Sequence, residues 1–159
     1  MDKRRHHIVD IVFVLSLFCA FAVMALFVVV LGANVYKSIT ENMTSNYNMR
    51  TSVLYITEKI RQNDTGGSVD IREVGGNDAL VLTQRMEDSE YETWIFVDNG
   101  SLCEVLVTPG FEVKPGFGRP IMELDELQLD YVSDNLLDVQ VVDPQGDQHG
   151  SMVNIYTDV

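Results

Sequence analysis

From Ile11 to Leu31 the chain runs for 21 residues in which Ser16 is the single non-apolar side chain. At about 1.5 Å of helical rise per residue, a run of this length spans roughly the 30 Å hydrocarbon core of a bilayer. A cleaved secretory signal has a shorter apolar region, about 7 to 15 residues, ending in small residues at the cut. Here the bulky Leu31 stands just before Gly32 and Ala33. The sequence therefore predicts an uncleaved transmembrane helix over 8–33, preceded by a cytoplasmic basic tail over 1–7.

Charge orients that helix. Lys3, Arg4 and Arg5 precede the span, whereas the chain after Lys37 is acidic and brings the whole to a net charge of -13. An excess of Lys and Arg marks the cytoplasmic flank, so the expected location is the cell membrane, single-pass, with the N-terminus cytoplasmic and the C-terminal part extracellular. Membrane lipid is then one partner. Nucleic acid is excluded as another, because phosphate contacts need a basic face and none is present. Cys19 in the span and Cys103 far beyond it fall on opposite sides of the membrane boundary, which rules out pairing between them.

Beyond the span the apolar pattern continues. Val35, Ile39, Met43, Met49, Val53, Ile56 and Ile60, with Asn46 as the polar member, recur at steps of three and four, which puts them on one helix face. An amphipathic continuation over 34–64 follows, weakest across the Asn-, Ser- and Thr-rich stretch from Thr40 to Asn48. After it the period becomes two. "SVDIREV" and "ALVLTQ" flank Gly75-Gly76, while "YETWIFVD" and "LCEVLVT" flank Asn99-Gly100, both hairpin signals. Pro109, Pro115 and Pro120 interleave with glycines in a segment where pairing should lapse. "ELQLDYVS", "LLDVQVVD" and "SMVNIYT" complete about seven short strands in an extracellular β domain over 65–159. An antiparallel sheet with an apolar face needs a cover, and the helix face carrying Met49, Val53, Ile56 and Ile60 is the one available. The predicted class is α+β, a long N-terminal helix packed on an antiparallel sheet.

That organisation resembles type IV pilins and minor pseudopilins: a basic N-terminus, an apolar helix with an acidic residue near its start, an amphipathic continuation and a C-terminal antiparallel sheet. More narrowly, "HHIVDIVFVLSLFCAF", "RTSVLYITEKIRQND" and "ETWIFVDNGSLCEV" are similar to a domain-of-unknown-function family of anaerobic Gram-positive bacteria. The resemblance implies a pilin-like architecture, and other pilin-like subunits as partners through the long helix. It also implies an assembly contact for Asp10, in the place of the glutamate by which pilins register a new subunit. In pilins a glycine precedes the cleavage point. Here Arg5 stands at that position and the first glycine is Gly32, which speaks against that cleavage. Asp10 has an alternative reading as a helix cap, or as a partner of His6 or His7 near the headgroups.

The residues offer no catalytic set, no cofactor site and no metal site. His149 in "DPQGDQHGS" is the single histidine after His7, and Asp143 and Asp147 in that turn lack the spacing of a calcium loop. The protein is expected not to be an enzyme. Two functions fit: a structural or assembly subunit of a type IV pilus-like or competence/secretion machine, or an independent membrane-anchored extracellular binding module using the sheet or the 109–120 loop.

Overall fold

The computed structural model describes residues 2–86, 89–143 and 145–156, with side chains from residue 9 onward. The chain divides into two compact units, Met1–Met43 and Thr44–Val159. A single helix, α1 (Asp2–Asn63), contributes to both. The Thr40–Asn48 stretch remains helical despite its poor propensity, and Thr40 Oγ1 turns back to donate to the Tyr36 carbonyl at 2.9 Å.

Every large apolar side chain described from Val9 to Met43 is exposed. A window of 18 residues in α1 has mean hydropathy 3.0 and is 0% buried. This helix is long and apolar enough to cross a membrane.

The second unit holds the end of α1 and eight strands: β1 (Val69–Val74), β2 (Asn77–Met86), β3 (Ser89–Asp98), β4 (Ser101–Val107), β5 (Arg119–Glu123), β6 (Glu126–Ser133), β7 (Leu136–Val142) and β8 (Gln148–Asn154). They form two antiparallel sheets, β1-β2-β3-β4-β5 and β6-β7-β8, rather than one sheet of seven. The added strand is β5, inside the segment where prolines should have ended pairing. It pairs with β4 at the edge, with a register shift between Leu102 and Cys103, and an edge is where Pro120 costs no ladder bond. Both hairpin signals produce two-residue turns with positive φ at both positions, Gly75 at 64° with Gly76 at 88°, and Asn99 at 49° with Gly100 at 73°. Those are the dihedrals that carry the right-handed twist of paired strands through a tight turn.

Met49, Val53, Ile56 and Ile60 are all buried and join one core with Leu80, Leu82, Ile95 and Leu102 of the larger sheet and Leu127, Leu137, Val139 and Val141 of the smaller. One helical stripe thus closes the inner faces of both sheets. Burying each such side chain contributes roughly 1.5 to 3 kcal/mol. The larger sheet is also dry on its other face, where Val81, Trp94, Phe96 and Cys103 pack with Val113 from the loop between β4 and β5. Gly118 permits that loop to lie flat, since a Cβ there would come within 2.5 Å of the Cys103 Cβ. The Pro/Gly segment is therefore a lid over a second, smaller core.

Candidate functional site

Asp10 lies inside α1, which begins at Asp2, so it is not the helix cap. Its carboxylate is exposed on the helix surface beside Ile11, Val14 and Phe18. The side chains of His6 and His7, its alternative partners, lie outside the described ones. Among the described residues, what Asp10 offers is an exposed carboxylate on an apolar helix.

In the second unit three polar side chains converge where α1 meets β4. Tyr55 and Lys59 sit four residues apart, one turn of the same helix face. Glu104 reaches them from β4, with Tyr55 Oη donating to one carboxylate oxygen and Lys59 Nζ meeting the other at 2.7 Å. The Lys59 ammonium also lies 5.4 Å from the centre of the Tyr55 ring. Burial raises the Tyr55 phenol above its ordinary value, and the Glu104 charge adds to the rise. For Lys59, burial pulls downward, but the hydrogen bond and charge of Glu104 outweigh it and hold the ammonium above its ordinary value. This triad forms one wall of a concavity of about 450 Å³, completed by Leu106, Arg119, Pro120 and Ile121. Its lining is amphipathic, with the Lys59 and Arg119 cations set among Leu106, Pro120 and Ile121.

Other buried polar groups brace the fold. Asp143 is buried and accepts from Ser45 Oγ of α1 and from the backbone N–H groups of Gln145 and Asp147, at 2.9 and 2.8 Å. Burial alone would raise its carboxyl, but these donors prevail and hold it below the usual range. Its oxygens are thus occupied by protein donors, as expected of a turn brace. Buried Glu92 likewise pairs with Arg72 at 3.1 Å and accepts from the Trp94 indole at 3.0 Å. Cys103 is buried, and burial pushes its thiol up, with the Asp98 charge adding to the shift. Cys19 is exposed on the apolar helix, and His149 is exposed in β8. Among the described residues, no group of three or more His, Cys, Asp or Glu could hold a metal ion.

Sequence reading had placed Met49, Val53, Ile56 and Ile60 on the packing face, and that is where these four lie. It missed Glu104. The available signal was an acidic residue amid the apolar run of β4, but nothing in the sequence said which face it occupied or that α1 would pass above it.

Fold and site together define an α+β domain on a helix long and apolar enough to cross a membrane. Residues 47–144 match the family described as "Domain of unknown function (DUF4860)", and the chain belongs to that family. The match lies within the second unit and covers the packed end of α1 and strands β1 to β7, stopping before β8. No curated protein and no solved structure matches the chain.

Proposed function

We propose that the protein is a structural or assembly subunit of a type IV pilus-like or competence/secretion machine, anchored by one membrane span with its N-terminus cytoplasmic and its β domain extracellular. One observation carries this reading: from Val9 to Leu31 the helix exposes its large apolar side chains on all sides, and the one carboxylate in that stretch is Asp10, near its start. Lipid satisfies the apolar surface, and neighbouring pilin-like helices satisfy it equally well. A carboxylate near the end of an apolar helix is costly unless it is paired or reaches the headgroups. Asp10 therefore pairs with a basic group of a neighbouring subunit and sets its register. The chain acts by packing and not by catalysis.

Cysteine crosslinking along residues 10–50 in native membranes tests this. Crosslinked ladders reaching pilus-system proteins, reduced by Asp10→Asn, are expected. Monomers alone overturn the assembly role.

A second reading, an independent membrane-anchored binding module, is favoured by the exposed pair Phe111 and Phe117, whose ring centres lie 5.9 Å apart on the lid loop. In that case the same crosslinking yields monomers, and Phe111→Ser with Phe117→Ser removes ligand binding without altering the fold.

A further inference from the structure

A sheet edge presents unpaired N–H and C=O groups, and proteins commonly protect such edges with charge, proline, a bulge or a covering element. Three of the four edges here are protected. β1 carries Asp70, Arg72 and Glu73. β5 has Arg119 and Pro120, and lies beside a register shift. β6 is held to the larger sheet, the Leu129 N–H donating to Asp78 at 2.9 Å and Tyr131 Oη to the Val69 carbonyl at 3.3 Å.

β8 differs on every count. It has no charged residue and no proline, and its register with β7 is unbroken. The Asp143 N–H donates to the Asp147 carbonyl at one end and the Ile155 N–H to the Asn135 carbonyl at the other, both at 3.0 Å. With continuous register between them, His149, Ser151 and Val153 exchange bonds with β7, and Gln148, Gly150, Met152 and Asn154 turn their backbone groups outward. Among the described residues, only the far end is covered, where the Tyr156 N–H meets Asp64 at 2.8 Å and its carbonyl accepts from Gly67 at 3.3 Å. Along the open part lies a concavity of about 320 Å³, bordered by Asp138, Gln140, Gln148, Gly150 and Met152. Gly150 keeps it open, because a Cβ there would meet the Val139 carbonyl oxygen at 2.9 Å and Gln140 Cγ at 3.0 Å.

Charge selects the occupant. Residues 126–154 hold five carboxylates besides the buried Asp143 and no Lys or Arg, within a unit, 44–159, that has 21 acidic residues against seven Lys and Arg. A second copy would bring the same negative field to the contact. We propose that the β8 edge binds an extended, basic segment of a partner polypeptide, added as a fourth strand through the outward groups of Gln148, Gly150, Met152 and Asn154. Main-chain bonds supply the affinity, and the surrounding carboxylates select for cationic side chains. This contact is separate from the helix contacts of the assembly reading and stands without it.

The test uses the full chain in detergent micelles at low ionic strength, with a synthetic heptapeptide of alternating lysine and valine as probe. Expected are saturable binding that weakens with salt, and slowed amide exchange at Gly150 and Met152 but not along β1 or β5. Met152→Pro removes one outward N–H while sparing the bonds to β7, as proline on an edge strand permits, and is expected to weaken binding by about tenfold or more. Should that variant fail to fold, Asp138→Lys reads the same site through charge and is expected to lose affinity. Each of four results overturns the proposal: no binding, equal binding of a glutamate–valine peptide, protection at another edge, or binding unchanged in the folded variants. Concentration-dependent protection of β8 without peptide also overturns it, placing a second copy there.

Discussion

The two ends of α1 carry the same spacing and meet different fates. Val35, Ile39 and Met43 continue the stripe of Met49, Val53, Ile56 and Ile60, yet the first three are 52–69% exposed and the last four are buried. Periodicity states that a helix face needs an apolar cover. It does not state whether the cover is the chain's own sheet, a lipid or a neighbour. The boundary near residue 43 is where the cover supplied by the chain's own sheets begins.

The comparison breaks most severely in the core. Ile56→Ala, in a 0% exposed site between both sheets, is expected to destabilise the second unit by about 2 to 5 kcal/mol. Chemical denaturation of the full chain in detergent measures this, and Ile39→Ala on the exposed stretch serves as the contrast, with a change within about 0.5 kcal/mol. Equal effects at the two sites would remove the distinction between the ends.

The Tyr55–Lys59–Glu104 cluster gives a smaller effect with a pH signature. Glu104→Gln weakens one ion pair and one hydrogen bond, a loss of about 1 to 2 kcal/mol for partly exposed groups. Both Tyr55 and Lys59 hold their protons more tightly in the folded state. Their contribution is complete below the ordinary values near 10 and is lost as pH rises through the folded ones. Wild-type stability should therefore fall above about pH 10, and Glu104→Gln should flatten that fall. Asp143 has the opposite sign: its lowered carboxyl contributes above about pH 4 and loses that contribution as pH falls through the folded value. Ser45→Ala should shrink the acid limb, read by thermal melts between pH 2 and 6.

The smallest effect is a gain. Thr57 is buried, and among the described residues its Oγ1 is the one buried side-chain oxygen without a partner. Thr57→Val keeps the shape and removes the unpaired hydroxyl, so it should stabilise the domain by about 1 kcal/mol. A loss of stability instead would mean the hydroxyl is satisfied by water.

Much of this was legible from local pattern. The span, the stripe, the turns at Gly75-Gly76 and Asn99-Gly100 and seven of the strands follow from periodicity and turn chemistry, which depend on residues close in sequence. β5 escaped because Pro120 argues against a strand until its place at an edge is known. The lid escaped because nothing local in "TPGFEVKPGFG" says that Val113 will reach a second apolar face. Glu104 escaped because its partners are 45 and 49 residues away.

The sequence by itself determined a helix able to cross a membrane, an α+β class and the four side chains of the packing face, since each rests on spacing and composition. Tertiary structure alone decided that the strands part into two sheets closed by one helical stripe, that Tyr55, Lys59 and Glu104 meet, and that the outward backbone groups of β8 lack a partner among the described residues. Those outcomes depend on which distant surfaces exclude water together, a property of the packed chain and of no single segment.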